Sequence, residues 1–462
     1  MKNSLLHRKS ERKYDTIPYR IDSIKNLLDN KALDPMVNFD LCETENYIVP
    51  KSKSQWGDDS SDESTGFKRC DSDENSNDTR HVLQKKVHDF YKIINQIGGK
   101  LLYIKSGTTG HTFKGIATTE DGHSRNYAVK VVAYPKRKRY GNLYNIERPE
   151  NAELLMIRAL SYFVVNRKTP HIVLPIATFD TCIRPFTKLI RDKIVDEDNK
   201  KYKEFVKKYK EGQLYDNVSI LISEWANKGD LLDFIRKNYK EFQPIDWKVF
   251  FFQVISVLAV IQYKYPSFRH NDLKANNVLV NKISINKKKR TRFSYTVNKK
   301  RYIVPNIGYQ VKLWDFDFAC IPGIVNNSKV NAKWTDQINV KPVQNRYYDM
   351  HYFFNTLIKK GFFPQFMKDS SIPQDAKDFV NRIVPLKYQK VKTKYVSERG
   401  RILINNEYKI PDEVLKTDPY FEEFRRIRKS KRSNRPKIVK NDIDKILFNE
   451  YRKGNKYYLD ST

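Results

Sequence analysis

The chain is 462 residues long, with Lys plus Arg at 87 against 54 for Asp plus Glu, a formal net charge of +33. That length can bury one large core or two smaller lobes with tails left over, and the charge must attract phosphate, nucleic acid, acidic protein or anionic lipid without naming which. Cys42, Cys70, Cys182 and Cys320 lie far apart and form no CxxC or Cys/His cluster, which speaks against a disulfide framework, a zinc site and an oxidising compartment.

Residues 1–80 are mostly polar, and 57–78 hold eight acidic residues against two basic ones, so 1–80 is expected to be disordered. The acidic, serine-rich part is either a solvating tail or a flap that rests on the basic body or is phosphorylated. "MKNSLLHRKSERKYD" lacks an apolar signal core and the longest apolar run, 249–261, is too short to span a bilayer, so a soluble intracellular protein is expected. Order is expected to begin with a helix and linker over 81–99, where Val82, Val87, Phe90, Ile93, Ile94 and Ile97 recur at helical spacing before Gly98–Gly99.

Residues 100–134 read as three strands, joined by a Gly-bearing turn and an Asp121–Gly122 hairpin turn. A helix follows at 150–161, then strands at 171–179 and 218–225, with a charged helical insertion over 184–213 between them. From 228 the pattern turns helical, and the 246–263 helix is apolar over most of its circumference and therefore buried. The expected fold class is α+β: a β-rich lobe over 100–226, a helical lobe over 227–424 and a basic tail over 425–462.

Phosphoryl transfer needs a phosphate cradle, a cation on the phosphates, magnesium ligands and a group that deprotonates or orients the nucleophile. In "SGTTGHTFKG" Gly107 and Gly110 sit between two strands, where missing side chains let backbone N–H groups approach phosphate, although a plain glycine hairpin reads the same way. "YAVK" places Lys130 on the next strand, pointing back under that hairpin. Glu153, followed by Met156, Ile157 and Leu160, stands at the edge of a buried helix face within reach of Lys130; Glu147 and Glu150 are expected to be surface acids of the helix's first turn. Asp272 and Asn277 bracket Lys274, offering a carboxylate for a hydroxyl proton, an amide oxygen for a cation and a charge for a moving phosphoryl group, or else a plain Asx-rich turn. Asp315 ends an apolar strand, placed for magnesium, with a second acid at Asp317.

"YAVK", "HNDLKANN" and "WDFDFA", behind Gly107 and Gly110, resemble the signature set of eukaryotic-type protein kinases over roughly 100–424. The resemblance implies the bilobal kinase fold, ATP with Mg2+ as cofactors, and transfer to a hydroxyl. By it Lys130 contacts the α- and β-phosphates and pairs with Glu153, Asp272 is the catalytic base, Asn277 and Asp315 bind the metal, and Lys274 approaches the γ-phosphate. "ILISEWANKGDLLDFI" resembles the family's hinge, with Ser223 as a small gatekeeper, Glu224 and Ala226 presenting backbone groups to adenine, and Asp230 facing the ribose. Asp349 resembles the helix acid that anchors the catalytic loop, and 411–421 the small terminal helix.

The departures carry expectations of their own. Asn271 replaces the arginine that in many kinases binds an activation-loop phosphate, so activity independent of activation-loop phosphorylation is expected. Lys105 and Asp317 replace glycines of the phosphate loop and of Asp-Phe-Gly, and no Ala-Pro-Glu occurs between 320 and 348. The insertion over 281–310 resembles an extended basic hairpin; with 135–140 and 425–437 it reads either as a solvated face or as a surface for acidic protein substrates, anionic membrane, nucleic acid or nuclear import. Lys274, two residues after Asp272, favours Ser/Thr specificity. The competing readings are a small-molecule or lipid phosphotransferase of kinase-like fold and a basic pseudokinase scaffold. Together with a Lys/Asn/Tyr-rich composition, the departures resemble Ser/Thr kinases of large cytoplasmic DNA viruses, poxvirus virion kinases among them, which implies protein substrates in the infected-cell cytoplasm or the virion.

Overall fold

The structure, a computed structural model, describes residues 16–29, 31–39, 82–107, 110–118, 124–283, 292–330, 332–425 and 445–447. The acidic stretch 57–78, the Asp121–Gly122 turn, the lysine run 287–289 and the basic run 426–437 lie outside the described residues.

Strands β1 (Gly99–Ser106), β2 (Gly110–Thr118), β3 (Ser124–Pro135), β4 (Pro175–Cys182) and β5 (Leu214–Glu224) form an antiparallel sheet in the order β1-β2-β3-β5-β4. The two-residue period of β3 sends Tyr127, Val129, Val131 and Ala133 into the core and leaves Lys130 half-buried on the opposite face. Gly110 is required by the sheet itself: a Cβ there would meet the Val131 carbonyl oxygen at 1.7 Å.

Two expectations fail at the N-terminus. Residues 17–29 and 31–39 pack on the body, with helix α1 (Ile17–Leu28) capped by Thr16 and burying Ile17, Arg20, Ile24 and Leu27, while the Met36 N–H donates to the Ile176 carbonyl (2.9 Å). The polar average of 1–80 concealed that local stripe. The helix expected from 81 is also shorter: α2 is Phe90–Ile97, capped by Asp89, because 84–89 runs extended beside β4 and buries Lys85 against Asp180 (2.7 Å). Val87, assigned to the apolar face, is 63% exposed.

Helix α3 (Pro149–Val165) lies buried against the sheet and carries Glu153. Glu150 is buried beside Arg148 (3.2 Å), not a surface acid, because the Arg148 guanidinium beside it, itself fully buried, needs a counter-charge. The 184–213 insertion holds helix α4 (Lys200–Lys210), whose Tyr202 and Phe205 pack on the buried His111 of β2.

Beyond α5 (Leu231–Asn238), the axis of the second lobe is α6 (Pro244–Lys264), opened by a reciprocal Gln243–Asp246 capping box. Its 21 residues exceed the apolar run seen in sequence and are long and apolar enough to cross a bilayer, yet 78% of the most apolar window is buried within the lobe. Strand β6 (Val278–Lys282) pairs with β9 (Tyr309–Leu313), and between them β7 (Arg292–Val297) and β8 (Lys300–Pro305) form the expected hairpin. It does not extend into solvent: Phe293, Tyr295, Val297, Tyr302 and Val304 are buried, and the turn residue Asn298 donates to the Ala259 carbonyl (3.0 Å) and to Asp412 (2.8 Å). Strand β10 (Lys445–Leu447) adds to β7 in parallel, so the tail is not wholly apart from the body. Helices α7 (Tyr348–Leu357), α8 (Gln374–Ile383) and α9 (Pro411–Thr417) complete the lobe.

Candidate active site

Lys130 on β3 bridges two carboxylates, Glu153 of α3 at 2.5 Å and Asp315 just after β9 at 3.1 Å. Burial disfavours the ammonium, but the two anions outweigh it and raise its pKa above the ordinary lysine value. Burial pushes the Glu153 carboxyl up to about 7 against the pull of Lys130, whereas at Asp315 the lysine prevails over burial and holds the acid below its usual range.

On the loop 268–280, the candidate catalytic loop, Asp272 is clasped through both oxygens. Lys274 Nζ (2.8 Å) and Asn277 Nδ2 (3.0 Å) donate to Oδ2, and Asn277 also donates to the Asp272 carbonyl (2.9 Å). The other oxygen, Oδ1, accepts from Arg401, a residue absent from every sequence expectation. Arg401 is buried, donates also to the Asn271 carbonyl and to the Tyr348 hydroxyl (3.2 Å), and lies 4.2 Å from the Tyr352 ring centroid. No local motif announces it; it arrives 129 residues downstream.

The loop is seated on α7 by Asp349, which accepts from the backbone N–H groups of His270 (2.7 Å) and Asn271 (2.8 Å). Asn271 and Asp315 both hold φ of 64° outside glycine, local strain of about 1–3 kcal/mol each of the kind concentrated at functional sites. The Asn271 side chain donates to the Phe318 carbonyl (3.0 Å), and Arg269, stacked 3.8 Å from the Tyr348 ring centroid, donates to the carbonyls of Val343 (3.2 Å) and Asn339. The segment 318–345 is thus tied to the catalytic loop through carbonyl oxygens. Asp317 pairs with Lys329, and Arg346 at the segment's end is held by Glu407 through Nε (3.1 Å) and Nη2 (2.5 Å).

At the hinge, Ser223 is 1% exposed and its Oγ has no hydrogen-bond partner among the described residues. Ala226 is buried, and Asp230 caps α5 by accepting from the Asp233 N–H (3.0 Å). Glu224 is engaged through both backbone and side chain: its N–H donates to the Leu174 carbonyl (3.1 Å). Its carboxylate takes two bonds from Arg20 of α1 (2.7 Å each), one from the Leu174 N–H (2.7 Å) and a longer contact from Lys312 (3.3 Å). Burial would raise this acid, yet the two cations and the N–H hold it down at about 2. Arg20 donates further to the carbonyls of Pro170 (2.8 Å) and Ile172 (2.7 Å), and the adjoining His171 stacks on Tyr295 of the inserted hairpin.

The phosphate loop fits its expected role less fully. The Gly107 N–H donates to the Gly110 carbonyl (2.7 Å), so that donor closes the turn, and Gly110 answers to sheet packing. No group of three or more His, Cys, Asp or Glu able to hold a metal occurs among the described residues. Magnesium asks for less than that, since it is bound by one or two protein oxygen ligands with phosphates and water completing the shell. The oxygen donors Asp315 and Asn277 fit such a cation.

A model of the poxvirus serine/threonine protein kinase family matches residues 116–407, from β2 to the residue that holds Arg346. The chain belongs to that family. It is 45% identical over 409 residues, 88% of this chain and 80% of the relative, to a protein of Acanthamoeba polyphaga mimivirus that carries the provisional name of a serine/threonine-protein kinase. Serine/threonine-protein kinase 2 of monkeypox virus is 30% identical over 158 residues, covering 34% of this chain and 32% of that protein. Its namesake in vaccinia virus strain Copenhagen is 29% identical over 161 residues, with the same two shares. Of the readings drawn from the sequence, the Ser/Thr protein kinase stands, and the kinase is of a divergent viral type.

Proposed function

We propose that the kinase phosphorylates Ser and Thr hydroxyls of protein substrates from Mg-ATP, with Asp272 as the base and without control by activation-loop phosphorylation. The observation that carries the reading is Lys130 bridging Glu153 and Asp315 beside the clasped Asp272. Lys130 orients the α- and β-phosphates while Glu153 holds its ammonium in place. The Glu224 and Ala226 backbone receives adenine, Asp230 the ribose, and Ser223 leaves space behind the base. Gly107 and Gly110 shape the turn over the phosphates. Asp315 and Asn277 would hold magnesium, which would supply charge neutralisation to the phosphates. A substrate hydroxyl gives its proton to an Asp272 carboxylate oxygen as its own oxygen bonds to the γ-phosphorus, the bond from that phosphorus to the β–γ bridging oxygen breaks and ADP leaves with the electron pair, and Lys274 turns toward the charge on the moving phosphoryl group.

Independence from activation-loop phosphorylation is supported by Arg269 and Asn271, which hold 318–345 through carbonyls that need no phosphate. The place of action we propose is the infected-cell cytoplasm or the virion.

Labelled γ-phosphate from Mg-ATP is expected on Ser and Thr of casein or a basic protein and not on a phosphoinositide, vanishing in Asp272→Ala and Asp315→Ala. Label on lipid alone would reverse the substrate assignment. Phosphatase treatment is expected to leave the rate unchanged; loss of activity that returns on re-phosphorylation of 318–345 would refute the regulatory part alone.

A further inference from the structure

Resting on the protein-kinase reading, we infer that the loop 386–403 is the docking surface for the substrate chain and selects acidic residues around the phosphoacceptor hydroxyl. No Ala-Pro-Glu closes the activation segment, so a surface for the substrate backbone is not supplied in the familiar way. The loop 386–403 instead reaches the Asp272 carboxylate through Arg401.

Its outer half is a small hairpin. Val396 bridges Ile402, the Ser397 N–H donates to the Arg401 carbonyl (2.9 Å) and the Leu403 N–H to the Tyr395 carbonyl (2.7 Å). Asn355 of α7 grips the Gly400 carbonyl (2.9 Å), and Lys359 grips that of Gln389 (2.7 Å). One side of the turn ends in Arg401, whose guanidinium is on the Asp272 carboxylate. The tip of the turn is therefore within two residues of a side chain that touches the candidate base.

The tip and its flanks are basic. Residues 386–402 contain Lys387, Lys390, Lys392, Lys394, Arg399 and Arg401 against the single acid Glu398. Glu398 is already matched by Lys392 at 3.0 Å, and Lys390, Lys394 and Arg399 are exposed. Arg399 stands two residues before Arg401 on this turn, so an exposed cation flanks the segment that reaches Asp272. A peptide entering with its hydroxyl toward Asp272 passes these cations, so an Asp or Glu close to the phosphoacceptor gains attraction and a Lys or Arg meets repulsion. The occupant is an acidic stretch of a protein substrate.

The test uses the full chain and three serine peptides of equal length, with acidic, alanine or basic residues around the serine. The kinase is expected to favour the acidic peptide over the alanine peptide by roughly tenfold in kcat/KM at low salt, the gap closing as salt rises. In Arg399→Glu combined with Lys394→Glu, KM for the acidic peptide is expected to rise roughly fivefold or more, with kcat and the KM for ATP unchanged, and the basic peptide is expected to improve. Lys390→Glu alone gives a smaller shift in the same sense. Equal use of the three peptides by the unmodified kinase, or an acidic preference that survives the charge reversals, overturns the inference. Undiminished transfer to the alanine peptide in those cases leaves the kinase reading standing, whereas no transfer to any peptide from Mg-ATP defeats both. Label that accumulates on the chain's own 57–78 and resists competition by added acidic peptide would assign the surface to the chain itself and overturn a docking role for separate substrates.

Discussion

Glu224 at the hinge and Asp272 on the catalytic loop are both carboxylates with every oxygen engaged, and each is clasped by an arginine from a distant segment. The difference lies in the other donors. Glu224 is held by Arg20, Lys312 and a backbone N–H, none of which is expected to touch a ligand. Asp272 is held by Lys274 and Asn277, which are themselves candidates for phosphate and metal, so those bonds can be exchanged when a substrate arrives. The same ion-pair chemistry fastens the lobes in one place and keeps the proposed base in position in the other. Permanence follows from what the partners do, not from how many there are.

Breaking the catalytic member should cost the most activity. Asp272→Asn is expected to lower kcat by about 10²–10⁴-fold with little change in the KM for ATP, measured by steady-state phosphotransfer. Arg401 acts through Asp272, so Arg401→Gln is expected to lower kcat by roughly tenfold or more at constant ATP KM, with Arg401→Lys recovering part of the loss. An equal fall in thermal stability and no kinetic recovery by lysine would make Arg401 a purely structural residue.

The hinge pair should break in stability first. Arg20→Met leaves Glu224 buried and charged with Lys312 and the Leu174 N–H, and is expected to cost roughly 3–5 kcal/mol in denaturant unfolding. The Arg20→Met/Glu224→Met double variant should lose less than the sum of the two singles. Because the Glu224 carboxyl is held at about 2 from an ordinary 4.5, its contribution is full above pH 4.5 and is lost as the pH falls toward 2. The gap in melting temperature between the unmodified chain and Glu224→Gln should therefore narrow below pH 4.5; a constant gap would mean that the carboxylate charge is not what stabilises the hinge.

The smallest expected effect is on specificity. On the proposed placement of Ser223 behind the adenine, bulky N6-substituted ATP analogues are expected to be accepted, and Ser223→Phe should reject them by roughly tenfold or more in kcat/KM while ordinary ATP is still used. Equal rejection by both proteins would show that the cavity lies elsewhere.

The sequence by itself singled out Lys130, Glu153, Asp272, Asn277 and Asp315 as candidates, through their local settings and the family resemblance, and the structure brings Lys130 to Glu153 and Asp315 and Asn277 to Asp272. The sequence also carried the strands of the sheet and the burial of α6, because their periodicity is local. Tertiary structure alone decided that 17–28 is a helix docked behind the hinge. The stripe of Ile17, Ile24 and Leu27 was present, but its buried face includes Arg20, and its burial is made favourable by Glu224, 204 residues away, together with the Pro170 and Ile172 carbonyls. Arg401 was illegible on the same grounds, one arginine in a basic stretch until folding brings it to Asp272. Local patterns report which face of an element is buried; the partner that neutralises a buried charge is chosen by how distant segments meet, and no spacing rule encodes it.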